Sequence, residues 1–271
     1  MVTLLDNPIV QSAVLPFLTA LALGLVLIFI VPRWFSLALP ASFYPVAFLI
    51  AGLQVLPLNS TRKILVIGVL AVIAALAADK LSVAIRRYVF IAAVVTISIA
   101  WVLWPVYTSN GINLMQLIGG MVYSLWLVVA IDYQHKHANT QQLTAMMLAA
   151  SIAVIATLGA SALLGQLSGA LAAVLGALLL VLVLTNKPAR SDLMVLPAVL
   201  LSTLLSLAAV FYSGLNWYSL ISLGVLPLIA FIPMSVDNRW LRLVIQLVLM
   251  LPLVAISVYF AMPAVSDSGY Y

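Results

Sequence analysis

Two histidines and one aspartate lie close together in the stretch 132–137, whose sequence is DYQHKH. Imidazole and carboxylate groups are suitable ligands for divalent transition metals, so Asp132, His135 and His137 form a candidate metal site. Two histidines separated by a lysine in a polar connection are, however, more typical of a solvated loop. We therefore expect no bound metal and no other cofactor, and keep these three residues as the alternative.

Other signatures of catalysis are missing from the sequence. The chain contains no cysteine, which excludes disulfides, thiolate metal sites and cysteine nucleophiles. It also lacks an HExxH motif, a glycine-rich phosphate loop, a GxSxG motif and an aspartate-rich diphosphate-binding motif. The six acidic residues all fall near the ends of apolar stretches, so acid–base catalysis would be confined to a membrane surface. These observations argue against an enzyme.

Glutamines inside the apolar stretches are the side chains best suited to contact a solute. Gln116 and Gln246 fall within such stretches, and Gln54 falls nearer to an end. A buried amide needs a hydrogen-bonding partner, so these side chains face other helices or a cavity. Pro227 would kink its helix and free a backbone carbonyl. We predict that these four residues line a solute path; the alternative is interhelical hydrogen bonding worth under about 1–2 kcal/mol each.

Glycines with helical spacing predict close helix packing. Gly165, Gly169 and Gly176 recur along one apolar stretch, and small residues at such spacing let two backbones approach each other. The partner of this face is a helix of the same chain or of another chain.

Composition then determines the elements that carry these residues. Residues of the set AVILMFWYC make up 66% of the 271-residue chain and charged residues 6%. In soluble domains roughly half of the residues are apolar and one quarter are charged. A soluble protein with as few charged residues as this chain could not cover its surface with them. The sequence therefore predicts an all-α, polytopic transmembrane helix bundle that forms a single membrane domain, 1–271, without a soluble domain.

Apolar stretches of roughly 20 residues are long enough to span a bilayer as helices. Charges, prolines, glycines and asparagines divide the chain into about ten of them. The alternatives are nine or eight, if one segment is re-entrant or if two fuse, and the sixth and seventh are separated only by Leu164-Gly165. The predicted spans are 8–31, 35–57, 63–79, 88–107, 113–131, 142–163, 166–185, 192–212, 216–234 and 240–261.

Positive charges fall on every second connection between these spans, which predicts the orientation. Cytoplasmic connections carry an excess of lysine and arginine. Placing the first connection inside puts nine of the eleven positive residues inside and only Arg62 and Lys63 outside, so both termini are predicted on the extracytoplasmic side of the cell inner membrane. The nine inside are Arg33, Lys80, Arg86, Arg87, Lys136, Lys187, Arg190, Arg239 and Arg242.

Four aspartates are predicted at the same cytoplasmic ends, near basic residues. We expect them to form interfacial ion pairs or helix caps; the alternative is a ring of carboxylates at a cytoplasmic mouth, which would attract cations. These residues are Asp79, Asp132, Asp192 and Asp237.

The empty middle of the spans limits the function. Ion-coupled pumps usually carry a charged or histidine side chain inside the bundle, and this sequence places none there. We expect a transporter or translocator of a neutral, zwitterionic or lipid-like solute, or alternatively a non-catalytic scaffold subunit of a larger membrane complex. The expected partners are the lipid bilayer and other membrane subunits or further copies of the chain. Nucleic acid is not expected, because the net charge of +5 is spread over connections between spans.

Overall fold

Ten α-helices, connected by short segments, make up most of the described part of the chain. The computed structural model describes residues 7–52, 58–81, 84–109, 111–136, 138–186, 192–232, 236 and 238–262, and these residues contain no β-strand. The helices are α1 (Leu15–Ile30), α2 (Ala38–Ala51), α3 (Ser60–Asp79), α4 (Ala84–Thr108), α5 (Leu114–Asp132), α6 (Ala138–Gly159), α7 (Ala162–Thr185), α8 (Asp192–Ser213), α9 (Tyr218–Ile229) and α10 (Arg239–Ala261). A π-helical turn (Val10–Val14) precedes α1, and 3₁₀ segments precede α2 (Pro32–Leu37) and α6 (Tyr133–Lys136).

The predicted all-α polytopic bundle is confirmed. Within the described residues, nine helices are long and apolar enough to cross a membrane, when α1 and α2 are counted with the turns that precede them. The exception is α9, which has 12 residues where a span over 216–234 was predicted. At 1.5 Å per residue α9 is about 18 Å long, well short of the roughly 30 Å hydrocarbon core.

Asparagine side chains cap the N-termini of three helices. Asn59 accepts a hydrogen bond from the backbone of Arg62, and Asn238 accepts from the backbone of Trp240 and Leu241. These caps satisfy N–H groups that have no partner within the helix. Arg62 and Lys63 consequently lie in the first turn of α3, which begins at Ser60 rather than at the predicted residue 63. Asn113 caps α5 in the same way.

Helices α6 and α7 form a tightly packed antiparallel hairpin. The predicted break at Leu164-Gly165 is displaced: α6 ends at Gly159 and α7 begins at Ala162. Ser161 has extended backbone angles, φ −150° and ψ 124°, and thereby ends the continuous helical stretch. Gly165 instead lies inside α7, where an added Cβ would collide with the side chain of Thr157 on α6.

Helix α8 lies at the centre of the bundle. In the most apolar 18-residue stretch of α8, 89% of the residues are buried, whereas the share is 22% in the corresponding stretches of α1 and α10. It packs against α3, α4, α5, α6 and α7. The peripheral helices α1 and α10 thus carry much of the lipid-facing surface, while α8 exchanges almost all of its lipid contact for protein contact.

Several helix ends meet at one end of the bundle, which we call the basic end. Asp79 at the end of α3, Arg87 at the start of α4, Asp132 at the end of α5 and Leu193 at the start of α8 line the same small cavity. The helix ends that flank three alternate connections, α3–α4, α5–α6 and α7–α8, therefore lie at the same end of the bundle.

Candidate functional site: a buried amide cluster at the end of a short helix

Neighbouring side chains hydrogen-bond to the backbone of the short helix α9 at three levels. Ser257 on α10 donates to the carbonyl of Ser219 (2.5 Å), and Trp126 on α5 donates to that of Gly224 (2.8 Å). Near the other end of α9, Gln134 donates to the carbonyl of Pro227 (3.1 Å). The positions of these contacts show that α9 runs from the end of α10 to the connection between α5 and α6.

Gln134 reaches the end of α9 because its 3₁₀ segment is folded into the bundle. The residue is only 4% exposed although it lies in a connection between two helices. The last carbonyls of a helix lack intrahelical partners. Gln134 thus gives the Pro227 carbonyl, which also accepts from the Ala230 backbone (3.2 Å), a second donor in the place that water has at an exposed helix end.

Two threonines of α6 and a glutamine of α10 surround this contact. The Thr144 hydroxyl shares its proton between Gln134 Oε1 (3.2 Å) and the carbonyl of Thr140 (2.9 Å). The Thr140 hydroxyl donates to Gln246 Oε1 (3.1 Å). Both threonines lie on one face of α6, because residues four apart are neighbours on a helix. We call Gln134, Thr140, Thr144, Gln246 and the Pro227 carbonyl the amide cluster.

The amide cluster lies inside the bundle. Thr144 is fully buried and Gln246 is 3% exposed. Thr144 follows the start of α6 by six residues and Gln246 follows that of α10 by seven, which places both about 10 Å below the helix ends. Thr144 and Gln246 therefore lie well inside the bundle, while Gln134 and Thr140 lie nearer to its end.

Two further glutamines extend the polar surface of α6. Gln141 Nε2 donates to the carbonyl of Ile131 (3.1 Å), and Gln142 Nε2 donates to that of Leu175 (3.2 Å). Both residues are fully buried, and the Oε1 atom of each has no hydrogen-bonding partner among the described residues. A buried acceptor without a partner is costly, so these two positions call for an explanation beyond helix packing.

The predicted path residues divide into two groups. Gln246 and Pro227 meet in the amide cluster, although they come from different helices. Gln116 lies at the opposite end of α5, where its backbone N–H donates to Asn113 Oδ1 (2.8 Å) and its Oε1 accepts from the Asn113 backbone (3.0 Å). This exposed capping box explains the position of Gln116 without a solute. Gln54 lies outside the described residues.

The predicted packing glycines lie on α7. Beyond the contact of Gly165 with Thr157, a Cβ at Gly169 would lie 3.6 Å from the Ser12 carbonyl oxygen, and one at Gly176 would lie 3.3 Å from Met146 Sδ. The glycine face of α7 is therefore directed toward α6 and the turn before α1.

An ion pair lies next to the amide cluster at the basic end. Arg87 Nη2 is 2.7 Å from Asp132 Oδ1, and the side chains are 27% and 4% exposed. Asp132 thus forms an ion pair, as expected. In the metal alternative, Asp132 is the one residue whose side chain is described; the side chains of His135 and His137 lie outside the described residues. Asp237 also lies outside the described residues.

No protein-family model matches the sequence, and no curated protein matches it either. The function must therefore be argued from the geometry of this bundle and the chemistry of its side chains.

Only part of the site could be recognised from the sequence. Gln134, Gln141 and Gln142 lie at the edge of the α5–α6 connection, where a glutamine is ordinarily solvated. Gln141 and Gln142 could have been found from the density of polar residues, since four of the five residues 140–144 are Thr or Gln at the start of an otherwise apolar helix; no such signal marks Gln134.

Proposed function

We propose that this protein is a membrane transporter or translocator of a neutral, zwitterionic or lipid-like solute, and that the amide cluster lines its path. The observation that carries the proposal is the buried set of uncharged hydrogen-bonding groups at the end of α9. Transporters often place their sites where a helix is short or interrupted, so that backbone groups at its end become available inside the membrane. Helix α9 is short and contains Pro227 two residues before its end.

The chemistry of the cluster favours an uncharged or internally balanced solute. Gln134 and Gln246 each offer an acceptor and a donor, and Thr140 and Thr144 offer hydroxyls. The C-terminal end of a helix carries a partial negative charge of about half an elementary charge. A solute with a hydroxyl, an amide N–H or an ammonium group would therefore meet acceptors at the end of α9, while the amide nitrogens would bind its oxygens.

The distribution of charge supports passage without ion coupling. In the described helices the formally charged residues lie in the first or last turns, and the amide cluster itself carries no formal charge. Coupling to a proton or sodium gradient typically uses a charged group within the bundle. We propose that solute moves down its own gradient.

The test is solute flux through the purified protein in liposomes. Glycerol and urea represent neutral solutes, glycine betaine represents zwitterions, and a fluorescent phosphatidylcholine with dithionite quenching represents lipids. We expect at least one probe to cross faster than in protein-free liposomes. Gln246→Leu should then slow it about tenfold, the effect of losing about 1.4 kcal/mol of interaction.

Gln166→Leu provides the matched control, because Gln166 is a partly exposed glutamine of α7 outside the amide cluster. It should transport at the unmodified rate. The proposal fails if the folded protein accelerates none of the four probes, or if Gln246→Leu and Gln166→Leu behave alike.

A scaffold role in a larger membrane complex is the second candidate. The low burial of α1 and α10 favours it, because 22% burial leaves two long apolar faces available to partner subunits or to further copies of the chain. Copurification in mild detergent tests this role. A stoichiometric partner together with absent flux supports the scaffold, whereas an active monomer supports transport.

We also propose the inner membrane as the location, with both termini outside. Helix α9 is too short to span alone, but it runs from the end of α10 to the basic end, so the chain still changes sides there. The basis is the nine-to-two division of positive residues between alternate connections. Reporter fusions to the C-terminus that are active only in the cytoplasm should be silent, and fusions active only outside it should report.

A further inference from the structure

We infer that the segment Asp132–Gln134 is a gate at the basic end of the path, and that the Arg87–Asp132 ion pair holds it closed. The gate matters only if solute passes the amide cluster, so the inference rests on the proposed function. The segment differs from an ordinary connection because its three consecutive residues, Asp132, Tyr133 and Gln134, each contact a different part of the bundle.

The first contact is the ion pair with α4. Asp132 is the last residue of α5 and is 2% exposed, and its carboxylate is 2.7 Å from the Arg87 guanidinium. Removing the arginine from this partly buried pair costs more than removing one member of a surface pair, because the Asp132 carboxylate is then left largely out of contact with water. The pair therefore fixes where α5 ends.

The other two contacts follow directly along the chain. The Tyr133 ring lies 5.9 Å from the Phe231 ring, centroid to centroid, in the turn after α9. Gln134 then enters the bundle, donating to Pro227 and accepting from Thr144. The side chain that covers the end of α9 is thus only two residues from the carboxylate that anchors the segment.

The surroundings of the ion pair allow it to open. A cavity of about 10 Å³, roughly the space of one water, borders Arg87 and Asp132 and is lined also by residues of α3 and α8. Arg87 is more exposed than Asp132, at 27% against 4%. Water can therefore hydrate the guanidinium as the segment moves outward, so the charges are not separated in a dry interior. Outward movement of residues 132–134 would withdraw Gln134 and uncover the Pro227 carbonyl and Thr144.

Thiol labelling measures this opening directly, because the natural chain contains no cysteine. Thr144→Cys places a single thiol at a fully buried position behind Gln134. Every variant carries this change, so the loss of the hydrogen bond from the Thr144 hydroxyl to Gln134 is common to all the rates compared. A small membrane-impermeant maleimide, added to the purified protein in liposomes or nanodiscs, should label it slowly. Adding Arg87→Gln or Asp132→Asn should raise the labelling rate about tenfold or more, since either change removes one partner of the pair.

Two further variants separate the ion pair from general loosening. Arg86→Gln removes the neighbouring, exposed arginine and should leave the rate unchanged. The exchange Arg87→Asp with Asp132→Arg restores opposite charges and should bring the rate back toward that of the closed form. Arg87→Lys keeps the charge, so it provides a milder change with an intermediate rate if Arg87→Gln does not fold.

The outcomes distinguish this inference from the proposed function. Equal labelling of Arg87→Gln, Arg87→Lys and Arg86→Gln would overturn the gate, whether or not the protein transports a solute. Faster labelling without restoration by the exchanged pair would also overturn it, because the loss of packing rather than of the ion pair would then be responsible. Faster labelling with restoration, in a protein that carries none of the probes, supports a movable segment that the ion pair holds over the amide cluster, while the transport proposal fails.

Discussion

Replacing Gln134 by leucine should destabilise the protein by about 1–2 kcal/mol. The change keeps a side chain of similar length but removes the hydrogen bonds to the Pro227 carbonyl and from the Thr144 hydroxyl. Side-chain hydrogen bonds in membrane bundles contribute about 0.6 kcal/mol on average and up to about 1.7 kcal/mol each. Both partners keep another contact, Pro227 with the Ala230 backbone (3.2 Å) and Thr144 with the Thr140 carbonyl (2.9 Å). For the loss of these two hydrogen bonds we therefore expect a decrease in the free energy of unfolding in the lower part of the range, about 1–2 kcal/mol.

Reversible unfolding in mixed micelles, driven by an increasing fraction of denaturing detergent, measures the difference in free energy. Gln246→Leu removes one hydrogen bond of the same cluster and should cost less, about 0.6–1 kcal/mol. Gln166→Leu on the surface of α7 should change the free energy of unfolding by less than about 0.5 kcal/mol. If Gln134→Leu proves as stable as the unmodified protein, Gln134 is not held in the bundle, and the description of the buried end of α9 is wrong.

Two more substitutions test the packing of α3 and of α9 in the bundle. Gly68→Ala should destabilise the protein by about 1–3 kcal/mol, although alanine has the better helix propensity. The reason is that the new Cβ would lie 2.5 Å from Tyr44 Oη and 2.6 Å from Leu201 Cδ2. Gly119→Ala is the control: the nearest neighbour of its new Cβ is 4.0 Å away, so it should be neutral or stabilising in the same unfolding titration. Trp126→Phe removes the hydrogen bond to α9 and should cost about 0.6–1.7 kcal/mol, and an unchanged unfolding midpoint would show that this bond does not hold α9.

The general architecture could be predicted because it depends on properties that are local in sequence. Apolar stretch length and the alternation of basic connections predicted the all-α bundle. The predicted break between α6 and α7, at Leu164-Gly165, is wrong because it assumes that the glycine interrupts the helix. Gly165 instead provides close contact within the hairpin, and the chain turns at Ala160-Ser161. Sequence does not show which role a glycine has, since both need only the absence of a side chain.

The candidate site was harder to predict because it depends on how deep each side chain lies in the folded bundle. Gln246 was recognisable as an amide far from the end of an apolar stretch. Gln134 was not, since nothing in a short polar segment shows that it folds inward beneath a helix that ends early. Gln116 shows the opposite case: its amide lies within an apolar stretch by position, but Asn113 one turn earlier makes it part of a helix cap. Distance from the nearest charge is therefore a poor guide to depth in the membrane.

The enclosed position of α8 has a consequence for how the chain assembles. Its packing partners α3, α4, α5, α6 and α7 all precede it in the sequence. During synthesis these five helices reach the membrane first, so α8 can enter a bundle whose walls are already present. The last helices, α9 and α10, then pack against α6 and complete the site around Gln134. A chain truncated after α8 would thus retain the helices that surround its centre, yet lack the two that complete the amide cluster.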